Sequence, residues 1–331
     1  MNKKVIAGLV VLAGVIGISG VVESKKEHEA NKIPTVGVLQ FMKHPALDAI
    51  NQGINDELAK EGYHKGKNIK IDFQNAQGDQ SNLKTMATRF SSEHADISVG
   101  IATPSAIALA NTIKNKPVIF SAVSDPIGSK LLKDEQKPDR NITGVSDKAP
   151  LPGQLKLMQK FVPNMKTMGV IYTSSDDSAS TEAKQMIKLV EAAGIKVKTY
   201  TITSSNDLNQ TSQQMVANHQ VDAVFVPTDN TIAGAMPTLI KNTNAAKVPV
   251  FPTVDTMVSA GGVAANSIDQ HELGVMTGKM IVKELKGEQT KDLPVEYIKQ
   301  GKVVINQKQA DELGLKIPVA YQDAKRVNEE K

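Results

Sequence analysis

The sequence predicts an α/β protein made of two similar doubly wound parallel-sheet lobes, with a ligand cleft between them and one apolar helix at the N-terminus. Three observations carry this. Past Ile33, strand and helix signals alternate, as in a parallel sheet covered on both faces. The strand segments are short apolar runs such as "ADISVGIA", which marks burial on both faces. From Pro152 the alternation starts again, and matching segments recur at an offset of roughly 130 residues, the mark of a duplicated unit.

The elements follow in order. "TVGVLQF" (Thr35–Phe41) is the first strand, and "ALDAINQGINDELAKEG" is an amphipathic helix ended by Gly62. "NIKIDFQNA" alternates as a strand, and "NLKTMATRFSSEH" returns as a helix. The strand Ile97–Ala102 runs into Thr103-Pro104-Ser105 with no loop between. Pro104 suits the first turn of a helix, where its missing N–H costs nothing. That places Thr103 at the N-cap. "PVIFSAV" and "ITGV" complete the first set. In the second set "TMGVIYTSS" matches "TVGVLQF", "VDAVFVPTDNTI" matches "ADISVGIATPSA", and "VPVFPTVDT" matches "KPVIFSAVSDP". Thr103-Pro104-Ser105 therefore corresponds to Asp229-Asn230-Thr231.

Composition narrows the function. The 331 residues have room for roughly two domains. The net charge is only +4, and no basic cluster interleaved with aromatics suggests nucleic acid. Without cysteine, thiol catalysis, thiolate metal sites and disulfides are excluded, as is lipid attachment at an N-terminal Cys. Lys3 and Lys4 precede the uncharged run Val5–Val22, read as a signal or anchor segment over residues 1–22, with an uncleaved anchor favoured. The positive flank places everything after Val22 outside the cytoplasm. Residues 23–32, "ESKKEHEANK", read as a solvated tether.

Ligands of open α/β sheets bind at the carboxyl ends of strands. The candidates there are Gln40, Phe41 and His44 after the first strand, and Thr103 and Ser105 after the third. Ser121, Ser124 and Asp125 follow the fourth. In the second half they are Tyr172, Ser174 and Ser175, then Thr228, Asp229, Asn230 and Thr231, then Asp255. Hydroxyls and free N–H groups at a helix start suit a carboxylate. Asp229 suits an ammonium, so the two lobes together suit a zwitterion. Phe41, Tyr172 and Phe120 lie at or near strand ends and are expected to line an apolar pocket for the ligand's side chain. Asp229 reads equally as an N-cap, and Asp125 and Asp255 read more readily as caps than as ligands. No nucleophile elbow, zinc-binding helix or phosphate loop is present. A binding protein with no cofactor and no metal is the simpler reading.

Several segments together carry a family resemblance: "GVLQFMKHPALDAINQGINDELAKEGY", "FQNAQGDQSNL", "VGIATPSA", "SAVSDPIGSKL", "NITGVSD", "VPTDNTIA" and "IDQHELGVMTGKMIVKELKGE". The sequence resembles the tryptophan/tyrosine-type substrate-binding proteins of ABC transporters over Ile33 to Ile317. The resemblance implies a type I periplasmic-binding fold that closes on an aromatic amino acid, and a separate permease and ATPase as partners of a monomer. It also returns the long helix of the last segment to the first lobe. The lobes are then 33–148 plus about 266–296, and 149–265 plus about 297–326. Members in Gram-positive bacteria are usually lipoproteins, and the missing Cys departs from that pattern. A sugar-binding protein of the same fold is the runner-up, disfavoured by the absence of Trp. A sensor ectodomain would need a signalling module that the sequence does not show.

Overall fold

The computed structural model describes residues 33–298 and 300–327. Val5–Val22 and the tether expected at Glu23–Lys32 lie outside the described residues. Among those described, no helix is long and apolar enough to cross a membrane.

The first lobe is built from β1 (Thr35–Gln40), α1 (Pro45–Lys60), β2 (Lys70–Asn75), α2 (Gln80–Ser92), β3 (Ile97–Ile101), α3 (Thr103–Thr112), β4 (Val118–Ser121) and β5 (Ile142–Ser146). β1 and β3–β5 are almost wholly buried, in keeping with their predominantly apolar sequences. Pro45 starts α1, and Gly62, at φ 88°, takes the left-handed turn that ends it.

The second lobe repeats the plan. It contains α4 (Leu151–Phe161), β6 (Thr167–Thr173), α5 (Asp177–Ala192), β7 (Lys196–Ile202), α6 (Leu208–Val216) and β8 (Ala223–Val226). It continues with α7 (Asn230–Gly234), α8 (Met236–Ala245), β9 (Val250–Pro252), α9 (Asp255–Ser259) and β10 (Ala264–Ser267). The chain returns to the first lobe with α10 (Gln270–Leu285) and β11 (Glu296–Tyr297). It ends in the second with β12 (Lys302–Ile305), α11 (Gln307–Glu312) and β13 (Lys325–Arg326).

The first sheet has the order β11-β5-β4-β3-β1-β2, and the second β7-β6-β8-β9. The shared order β2-β1-β3-β4 and β7-β6-β8-β9, parallel throughout, is the duplication seen in the sequence. β10 pairs antiparallel with β12 in a small third sheet beside β9. Apolar clusters cover both faces of each main sheet, so both lobes are doubly wound.

The strand pairing fixes where the chain crosses between the lobes. Position 266 lies inside β10, so the chain leaves the second lobe after Ser267. Tyr297 still pairs with Ser146 in the first sheet, so the final crossing follows it. α10 packs closely on α1: a Cβ on Gly274 would lie 2.1 Å from the Ile50 carbonyl oxygen, and one on Gly53 would lie 2.2 Å from that of His271. Glycine at both positions is what lets the returning helix seat against the first lobe.

Candidate functional site

The carboxyl ends of both sheets face one cleft. From the first lobe it is lined by His44, Ala46, Leu47, Ala102, Thr103, Ala122 and Ser124. The second lobe adds Asp176, Ser178, Thr228, Asp229, Asn230, Ala233, Val254 and Met257, and the crossings add Asp147 and Gln270. The lobes touch across it. His44 Nε2 lies 2.9 Å from Asn230 Oδ1, and Thr103 Oγ1 lies 2.8 Å from Ser178 Oγ. The arrangement is therefore closed.

The start of α3 differs from the expected one. Ala102, not Thr103, is the N-cap, and Thr103 is already helical. Its hydroxyl is free to reach Ser178 instead of capping its own helix. Ala102 has φ 73° and ψ 156°, a region that almost only glycine occupies, and Ala122 has φ 56°. Both alanines line the cavity. Such backbone costs about 1–3 kcal/mol per residue and clusters at ligand sites.

Carboxylates dominate the polar wall. Among the described residues, no Lys or Arg lines the cavity. Asp147 sits in the first crossing, accepts a hydrogen bond from Ser124 at 2.8 Å, and is pushed by burial to about 6. Asp176 caps α5 through the Ala179 N–H. Burial, with repulsion from Asp229, raises it to about 7. Behind them Glu182 accepts from the Thr228 N–H and is raised to about 8 by burial and then by Asp147. These groups lack a cation, and their ionised forms would be stabilised by one.

Asp229 is committed differently. Its carboxylate accepts the Thr173 N–H at 2.6 Å, the Thr173 hydroxyl at 3.0 Å and the Ile232 N–H at 3.0 Å. It caps α7 and ties β8 to β6, and it is only 1% exposed. Of its two sequence readings, the geometry supports the cap. Burial still raises its pKa.

Of the sequence candidates, His44, Thr103, Ser124, Thr228, Asp229 and Asn230 line the cavity. The aromatic lining is corrected. Phe120 is buried in the first-lobe core, while Phe41 and Tyr172 are half-buried and pack against the cores of their lobes, outside the cavity lining. The apolar lining is instead Ala46, Leu47, Ala102, Ala122, Ala233, Val254 and Met257.

The other candidates have structural partners or lie elsewhere. Gln40 bonds to Asp48 and to the Met42 carbonyl, Ser121 to Thr277, and Ser174 to the Ile202 carbonyl. Ser105 is buried against Gly100 of β3. Asp125 caps a turn through the Gly128 N–H. Asp255, Ser175 and Thr231 do not line the cavity. Asp255 opens α9, where Val254 holds the cap position. Sequence reasoning missed Asp147, Asp176, Ser178 and Gln270 as lining residues. The Asp176 signal was present in "SSDDSAS", an acidic run between a strand and a helix.

Residues 35–324 match the family described as ABC transporter substrate binding protein. The chain belongs to that family. Its members are binding proteins, not enzymes, and act outside the cytoplasm with the membrane components of the transporter. A "Tyrosine-binding protein" of Clostridioides difficile is 32% identical over 92% of this chain and 91% of its own. An ABC domain from Streptococcus pneumonia, solved in complex with L-Trp, is 45% identical and superposes with a TM-score of 0.86 over 89% of this chain and 99% of its own. The ligand-free, open structure of a substrate-binding protein with adhesive properties from Clostridium difficile is 35% identical. It covers 90% and 100% of the two chains, with a TM-score of 0.71. This substrate-binding protein thus overlays better on the complex than on the open form, in keeping with its cross-lobe hydrogen bonds.

Proposed function

We propose that the protein binds a free aromatic amino acid, tryptophan foremost, in the cavity between its lobes and delivers it to an ABC importer. The observation that carries this reading is the pairing of a cation-free carboxylate wall, Asp147 and Asp176, with an alanine-rich apolar lining. The ammonium bonds to Asp147 and Asp176. The carboxylate meets the first N–H groups of α3 and the Thr103 and Ser178 hydroxyls, since helix N-termini favour anions. The aromatic ring lies among Leu47, Val254, Met257 and the alanines. The relatives that carry Tyr and L-Trp in their descriptions support the same side-chain class.

The partners in this reading are a separate permease and ATPase, and the protein acts as a monomer held at the surface by Val5–Val22. A thermal-shift screen of free amino acids and sugars tests the ligand class. A ligand at about 100 times its Kd stabilises by roughly 2.7 kcal/mol. Tryptophan, tyrosine or both should give the large shifts. A shift with sugars alone would overturn the reading.

A further inference from the structure

We propose that His44 reads the ligand's side chain by accepting a hydrogen bond from its ring N–H or O–H, so that the protein selects tryptophan and tyrosine over donor-free aromatic side chains. The proposal rests on the aromatic amino acid reading above and adds the specificity element to it.

The argument starts from Asn230. Its Oδ1, an acceptor only, lies 2.9 Å from His44 Nε2. Nε2 therefore carries the hydrogen and donates it across the cleft. In the neutral ring the other nitrogen, Nδ1, is then a bare acceptor. It is buried and has no hydrogen-bond partner, in a side chain only 5% exposed. Burial favours the neutral ring, since it pushes the His44 pKa down.

Position gives that acceptor a use. His44 precedes α1 as its extended N-cap residue, so its ring is fixed at the cavity wall beside Ala46 and Leu47. α9, which carries Met257, packs on α1, so this is the apolar part of the cavity. The carboxylates Asp147 and Asp176 belong to the crossing after β5 and the start of α5, whose Ser178 bonds to Thr103. A zwitterion held by those groups points its side chain toward the His44 wall. An indole N–H or a phenol O–H would satisfy Nδ1, and a phenyl ring would leave it unpaired. Sites built around a buried acceptor reject ligands that lack the donor far more strongly than size differences do.

The test compares L-tryptophan with β-(3-benzothienyl)-L-alanine, in which sulfur replaces the ring N–H at nearly constant shape. Calorimetric titration of the full chain should show tryptophan bound about tenfold or more tighter than the sulfur analogue. L-tyrosine should likewise exceed L-phenylalanine. His44→Leu should bring each pair together, chiefly by weakening the member that has the donor. Equal wild-type affinity for tryptophan and its analogue would overturn the role of His44 while leaving the aromatic reading intact. Failure to bind any of the four compounds would overturn both. The wild-type comparison needs no variant, so a folding defect in His44→Leu cannot obscure it.

Discussion

Thr103 Oγ1 and Ser178 Oγ share a 2.8 Å hydrogen bond that joins the first turn of α3 to the first turn of α5 across the cleft. It exists because Ala102 takes the cap position and leaves the Thr103 hydroxyl unclaimed. With the His44–Asn230 contact it fastens the closed form on two sides of the cavity. A net neutral hydrogen bond contributes about 0.5–1.5 kcal/mol. Thr103→Val should therefore weaken ligand binding by roughly three- to tenfold or more, through a more open ligand-free population and through loss of a hydroxyl that meets the ligand carboxylate. Small-angle scattering checks the mechanism. Wild type should compact on saturation with tryptophan, and Thr103→Val should need more ligand to reach the same radius of gyration.

Asp147 and Asp176 are expected to matter for binding, and Asp229 for folding. Asp147→Asn or Asp176→Asn should cost about 2–5 kcal/mol of affinity, because the ligand ammonium is left facing a neutral group. Asp229→Ala removes the acceptor for two N–H groups and one hydroxyl. It should lower unfolding stability by about 1–3 kcal/mol per group left unsatisfied. Calorimetry and thermal unfolding on the same variants separate the two effects.

The raised carboxyls set a pH dependence of definite sign. Asp147 near 6, Asp176 near 7 and Glu182 near 8 are harder to ionise in the folded ligand-free protein than in the unfolded chain. Their stabilising contribution is complete below the ordinary carboxyl range and is lost as pH rises through 6 to 8. The ligand-free melting temperature should thus fall between pH 5 and pH 8 relative to a variant carrying Asp147→Asn and Asp176→Asn. Ligand binding runs the other way. An ammonium needs ionised partners, so tryptophan affinity should drop as pH falls below about 7, in step with those two groups. Melting curves with and without ligand at several pH values report both slopes.

The α1–α10 seam predicts a sharp steric penalty. An added methyl at Gly274 meets backbone, not a movable side chain, at 2.1 Å. Gly274→Ala should destabilise by about 1–3 kcal/mol or more, since the helices must move apart. Denaturant unfolding of this variant should shift its midpoint, whereas Lys279→Ala, at an exposed position on the same helix, should not.

The fold was legible because its strands are buried on both faces and its unit occurs twice. Short, mostly apolar runs such as Ile97–Ile101 need no partner to be read as buried strands. The strand-end rule also brought His44, Thr103, Ser124, Thr228, Asp229 and Asn230 to the cavity. It could not say which strand-end side chains turn inward. Phe41, Phe120 and Tyr172 sit at the right places in the chain, but Phe120 is drawn into the first-lobe core, and Phe41 and Tyr172, half-buried, pack against the lobe cores outside the cavity lining. Asp147 follows a strand but lies in a crossing, where no periodicity marks a side chain as facing the cleft. Asp229 carries both readings in its sequence, and only the positions of Thr173 and Ile232 decide for the cap.

The most direct measurement uses the composition of the chain. With no Trp in the protein, bound L-tryptophan is the one indole in the sample. Its emission, excited selectively, should change in a saturable way on titration with wild-type protein, as the ring leaves water for the lining around Leu47, Val254 and Met257. The change should be strongly weakened in Asp147→Asn and Asp176→Asn variants that retain native circular dichroism. An emission spectrum unchanged by saturating folded wild-type protein would contradict the account.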